Sequence, residues 1–104
     1  MVIEWLKVRV NEKMRERYIQ IDEEIWTTAL AQYPGFLGKE IWLSPSHSDE
    51  LIMVIQWATR EQWKAIPEAE LKVIEEQFDT ALGTRDYKII EAKEFVVRKF
   101  ARRD

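Results

Sequence analysis

An α+β sandwich with the order strand, helix, strand, strand, helix, strand is predicted by three observations. Four segments carry the alternating or two-sided apolar patterns of strands, and two carry apolar residues at spacings of three and four. Pro34-Gly35 and Gly83 fall where the two helical patterns end, as helix stops should. Five tryptophans occur in 104 residues, and Trp5, Trp42, Trp57 and Trp63 lie on or beside the predicted strands. The strands are apolar on both faces, yet two helices can cover only one.

The first strand is Val2 to Val10, VIEWLKVRV. Val2, Leu6, Val8 and Val10 point one way, and Ile3, Trp5, Lys7 and Arg9 the other. Asn11 and Glu12 supply a cap and a first-turn acid for a helix. Met14, Tyr18, Ile21, Ile25 and Ala29 form its apolar stripe, widened by Trp26, Leu30 and Tyr33. Phe36 to Leu43 is the second strand, weakened by Gly38. A polar loop, Ser44 to Asp49, is short enough for an antiparallel hairpin. Leu51 to Ala58, LIMVIQWA, reads as a strand buried on both sides. Thr59 and Gln62 fit a capping box, followed by a short helical piece bearing Trp63 and Ile66. Pro67 interrupts it and suits the start of a second helix, striped by Leu71, Ile74, Phe78, Ala81 and Leu82. Tyr87 to Phe100 is the last strand, and Ala101 to Asp104 a frayed basic tail.

This order favours a ferredoxin-like βαββαβ sandwich, a single domain over residues 1–104. The helices hide one sheet face. Trp5, Trp42, Phe95 and members of the Leu51–Trp57 set, Trp57 among them, are assigned to the other, an assignment that a bulge at Gly38 would reverse. So large an apolar face is rare on a monomer, and a two-fold homodimer with sheets face to face would cover it.

Composition narrows the function classes. Lys and Arg total 16 against 19 Asp and Glu, a net charge of −3, which argues against a nucleic-acid partner. The longest apolar run, Leu51 to Ile55, is far short of the about 20 residues that span a bilayer. No secretory signal pattern opens the chain, and a cytoplasmic location is the default expectation. There is no cysteine, which removes disulfides, thiolate nucleophiles and cysteine metal sites. The single histidine, His47, rules out an all-histidine metal site within one chain and reads as a solvated loop residue. With three glycines there is no phosphate-cradling loop, so the expectation is no metal and no cofactor.

Tyr33-Pro34-Gly35-Phe36-Leu37-Gly38 running into Glu40-Ile41-Trp42, then Gln56-Trp57-Ala58-Thr59 with Glu61 and Trp63, is similar to the antibiotic biosynthesis monooxygenase-type domain, nearest to small cyanobacterial members. The resemblance covers nearly the whole chain. It implies a dimeric α+β barrel with a pocket in each subunit between sheet and helices. Some members oxidise aromatic polyketides without metal or flavin, some degrade haem, and many have no known reaction. The haem-degrading branch uses a first-strand asparagine, a tryptophan ending the third strand and a histidine on the second helix. Trp57 matches that tryptophan. Asn11 sits at the strand's end as a cap, His47 precedes the third strand, and Pro67 stands where the histidine belongs, so haem oxygenation is not expected.

Two function classes follow. In the first, a homodimer binds a small apolar or aromatic molecule and oxidises it without a cofactor. Trp57 and Trp42 then shape the pocket, Trp5 helps close it, and Glu40 handles a proton. Glu4, Glu40 and Glu91 are all acids in strands; one facing an apolar cavity would have a raised pKa suited to a general base, whereas cross-strand pairing with Lys7, Lys39 or Lys93 is the plainer role. In the second class the chain is a non-catalytic structural or sensing dimer whose aromatics pack an interface. Trp26 and Trp63 are read as packing residues, and Asp22-Glu23-Glu24 as a solvated face. Ser44, Ser46 and Ser48 have no histidine–acid partners for a hydrolase triad. A lumen of roughly 300 Å3 or more with a buried polar group separates the first class from the second.

Overall fold

The computed structural model describes residues 1–100. Its strands are β1 (Val2–Val10), β2 (Phe36–Ser44), β3 (His47–Trp57) and β4 (Tyr87–Val96). They form one antiparallel sheet in the order β2-β3-β1-β4. After β1 come a 3-10 turn (Glu12–Met14), α1 (Arg15–Asp22), a π-helical turn (Glu23–Thr27) and α2 (Thr28–Leu30), a nearly continuous helix. Between β3 and β4 lie α3 (Arg60–Lys64) and α4 (Glu68–Leu82). The expected βαββαβ ferredoxin-like α+β fold is the observed one. Among the described residues, no helix is long and apolar enough to cross a membrane.

Local chemistry sets the boundaries. The Asn11 side chain accepts the Lys13 N–H, and the Thr59 hydroxyl accepts the Gln62 N–H. Gly83 ends α4 with φ 84°. Gly35 makes the turn into β2 with φ 93°, and a Cβ there would lie 2.6 Å from the Gln62 Cβ, so the site admits only glycine. Two strand boundaries differ from expectation by more than one residue. β3 starts at His47, because Pro45-Ser46 alone make the hairpin turn, so His47 is a strand residue and not a loop residue. β4 ends at Val96 instead of Phe100. The basic tail 101–104 lies outside the described residues.

Both helical segments pack on one face. Val8, Val10, Leu51 and Met53 from the sheet meet Tyr18 and Ile21 from α1 and Phe78 and Leu82 from α4. Tyr18, Phe78 and Tyr87 pack edge to face, with centroids 5.0 to 5.5 Å apart. A second cluster joins Leu30, Ile55, Trp57 and Ile66.

Register decides which tryptophan faces where. The β2–β3 pairing slips at Leu37, next to Gly38: Phe36 opposes Trp57, yet Gly38 opposes Gln56. Beyond the slip, Lys39 and Ile41 face the helices and Glu40 and Trp42 face away. Trp42 is on the helix-free face, as assigned, with Trp5, Ile3, Ile52, Val54 and Phe95. Trp57 is not. It opposes Val2, lies in the Leu30–Ile66 cluster and is 0% exposed, which corrects its assignment to the helix-free face. The helix-free face is apolar from edge to edge, with Trp42 on β2 and Phe95 on β4 each 48% exposed. Charge borders it, with Lys7–Glu91 at 3.5 Å, Arg9–Glu50 at 3.7 Å and the Lys93 ammonium 5.2 Å from the Trp5 ring.

Candidate functional site

A cavity of about 350 Å3 lies between the sheet and the helices. Leu6, Met53 and Ile55 floor it, and Trp26, Leu30, Trp63, Ile66 and Leu71 line it from the helical side. Exposed Glu75 and Ile89 mark its mouth, between α4 and β4. It passes the size expected of a ligand pocket and is mostly apolar.

Three charged groups enter this space: Glu4, Asp22 and Lys39. Glu4 reaches it because β1 alternation puts it on the same face as Val2, Leu6 and Val8, opposite Ile55, which in turn opposes Lys39. Glu4 Oε1 accepts a hydrogen bond from Trp57 Nε1 at 3.2 Å. Burial raises the Glu4 carboxyl above its ordinary 4.5, outweighing the Trp57 hydrogen bond and the attraction of Lys39 and Lys64. A raised carboxyl against an apolar wall is a candidate general base.

Asp22 comes from the last turn of α1 and is 1% exposed. The expected solvated run Asp22-Glu23-Glu24 therefore divides: Glu23 and Glu24 are exposed, and Asp22 is inside. The Lys39 side chain, 4% exposed, donates to Asp22 Oδ2. Burial still lifts the Asp22 carboxyl above its usual range against the pull of Lys39. Asp22 Oδ1 has no partner. Immediately after Asp22 the helix loosens into its π-helical turn, where the Thr28 N–H reaches back to the Glu23 carbonyl and the Thr28 hydroxyl joins it at 3.1 Å. Such single π turns inside helices recur at functional sites.

The structure places the sequence-predicted residues unequally. Glu40 is exposed on the helix-free face, where it accepts from Trp42 Nε1 at 3.3 Å and Gln56 Nε2 at 3.0 Å. It does not reach the cavity, because the slip at Leu37 turns it away; Glu4 does. Trp5 and Trp42 also lie outside the cavity. Trp57 supports it from behind through Glu4. The tryptophans in its wall are Trp26 and Trp63, read from sequence as packing residues. Glu91 follows the ion-pair reading, with Lys93 at 3.1 Å and Lys7 at 3.5 Å. Tyr18, Asp22 and Trp26 are four residues apart, which is the signal that could have found Asp22: an acid between two aromatics on one helix face.

The raised Glu4 carboxyl makes stability depend on pH. The folded state holds the proton more tightly than the unfolded chain, so the associated stability is fully present below about pH 4.5 and is lost as pH rises through the folded value. Glu4→Gln keeps an acceptor for Trp57 and removes the buried charge. The variant should be more stable than the parent at neutral pH, with the difference closing below about pH 4.5. Urea unfolding at several pH values measures it, and a variant less stable at pH 7 would contradict a raised Glu4.

Comparison with known proteins places the fold. The chain superposes on a monooxygenase of Streptomyces coelicolor in complex with nanaomycin D, with TM-score 0.73 and 12% identity, covering 99% of this chain and 92% of that one. SnoaB of Streptomyces nogalater, a cofactor-independent oxygenase, aligns with TM-score 0.67 and 14% identity over 95% and 94% of the two chains. A dimeric ferredoxin-like protein from an uncultured marine organism aligns with TM-score 0.65 and 17% identity over 98% of each. No curated protein matches by sequence. The family model for antibiotic biosynthesis monooxygenase matches residues 1–70, more than half of the sequence. The chain therefore belongs to the antibiotic biosynthesis monooxygenase family.

Proposed function

We propose that the protein is a cytoplasmic homodimer that binds a small, largely aromatic molecule between sheet and helices and oxidises it without a cofactor. The observation that carries this reading is a 350 Å3 apolar cavity with the Glu4 carboxyl inside it. Family membership and the nanaomycin-bound structural neighbour support it. Trp26 and Trp63 supply walls for a planar ring. Trp57 acts through Glu4, holding its carboxylate by the indole N–H. Glu4 removes a proton from an activated CH2 of the substrate, and the anion adds O2. One oxygen stays as the new carbonyl and the other leaves as water, so CH2 plus O2 becomes C=O plus H2O. The two electron pairs taken up by O2 come from the substrate's C–H bonds. Trp5, Trp42 and Phe95 are the anchors by which a second copy covers the helix-free face.

The test uses the purified chain with a hydroxylated anthrone as probe and an oxygen electrode. One O2 should be consumed per anthrone, and Glu4→Gln should lower the rate by at least about 100-fold, the usual minimum for a general base. Full activity in that variant would remove Glu4 from the chemistry. No turnover in the parent would leave a binding protein. Light scattering should give a dimer at micromolar concentration, and Trp42→Glu a monomer; a monomeric parent would sink the assembly.

A further inference from the structure

Asp22 is a buried acid whose hydrogen bonding is incomplete. It is almost wholly buried and lines the cavity, yet only one of its carboxylate oxygens is used. Lys39 takes Oδ2; Oδ1 has no partner among the described residues. A buried carboxylate oxygen left without a donor is costly, so native interiors almost always satisfy such atoms. Tyr18 and Trp26, the hydroxyl and indole donors one helical turn to either side, make no bond to Oδ1, and Trp57 commits its N–H to Glu4. A cavity occupant that brings a donor would complete Asp22.

We infer that Asp22 Oδ1 selects ligands carrying a neutral O–H or N–H donor, with Lys39 as the positioning residue that holds the carboxylate in place. This rests on the ligand-binding reading of the cavity. Charge decides the class of donor. Lys39 already balances Asp22, so an ammonium group at Oδ1 would lose its hydration beside a second ammonium on the same carboxylate. An anion would meet the Asp22 and Glu4 carboxyls together. A neutral phenol, alcohol or amide N–H satisfies the free oxygen and leaves the ion pair intact.

Calorimetric titration with 2-naphthol and with 2-methoxynaphthalene tests this on the full chain. The two probes share rings and oxygen, and only the first donates. The parent should bind 2-naphthol about 10-fold or more tightly, the scale of a hydrogen bond to a charged acceptor. In Asp22→Leu/Lys39→Met both charges go together, leaving neither orphaned, and the preference should fall to about unity while the ether still binds. A parent without preference overturns the role of Asp22 and leaves the cavity reading standing. A preference that survives in the double variant overturns it too, by giving the acceptor to another group. Binding of neither probe removes the cavity reading and this inference with it. If the double variant does not fold, the parent with carboxyl-labelled aspartate gives the answer by NMR. The Asp22 carboxyl signal should move with 2-naphthol and not with the ether, and a signal indifferent to both overturns the inference.

Discussion

Trp57→Ala should lower the free energy of unfolding by about 3–5 kcal/mol, the range for deleting a large buried aromatic. Trp57 is fully buried among Leu30, Ile55 and Ile66, and Phe36 packs edge-on at 5.7 Å. The alanine also takes the donor from Glu4, whose carboxyl then loses the hydrogen bond that opposes its rise in pKa. The two effects can be separated. Trp57→Phe restores most of the packing without the N–H and should cost about 1–3 kcal/mol, the scale of an unmade buried hydrogen bond. Trp42→Ala removes a half-exposed ring from the other face of the same sheet and should cost an isolated protomer far less. Urea unfolding of the three variants measures the series. A Trp57→Ala loss no greater than that of Trp42→Ala would mean that the two tryptophans have been placed on the wrong faces.

Lys39→Met should cost about 3–5 kcal/mol at neutral pH, because it leaves Asp22 as a buried charge without a counterion. Removing both partners in Asp22→Leu/Lys39→Met should recover most of that loss, since apolar groups of similar volume replace the pair. The single variant carries a pH signature. Asp22 in the folded protein already binds its proton more tightly than free aspartate, and without Lys39 it would bind it more tightly still. Protonation relieves the orphaned charge, so the deficit of Lys39→Met should be largest near neutrality and shrink toward pH 3.8, the ordinary aspartate value. A deficit independent of pH would point to lost packing of the lysine stem in place of lost charge balance. The double variant also sets the baseline for the ligand titrations, where the same two residues decide donor preference.

The elements of the fold were legible because each is written locally. Asn11 and Thr59 cap, Gly35 and Gly83 stop, and Leu51 to Ile55 can only be a strand with both faces covered. The candidate pocket residues are not where sequence alone places them. The strand acid that faces the apolar cavity is Glu4, whereas Glu40, the candidate from sequence, lies on the other face. The tryptophans in the cavity wall are Trp26 and Trp63, not Trp5, Trp42 or Trp57. Asp22 was read as solvent-facing because two exposed glutamates follow it, and its partner Lys39 is seventeen residues away on another element.

By itself the sequence determined the order of elements, the helix ends, the two-sided central strand and the family. Tertiary structure alone decided which side chains share the cavity. The physical reason is parity. A strand alternates with every residue, so the single slip at Leu37 exchanges the faces of Lys39 and Glu40, sending one toward Asp22 and the other away from the helices. That slip is fixed by how β2 lies against β3, and the pairing of Lys39 with Asp22 by how the helix lies over both. Gly38 marks where such a slip can fall, but neither its occurrence nor that pairing is written in the residues nearby.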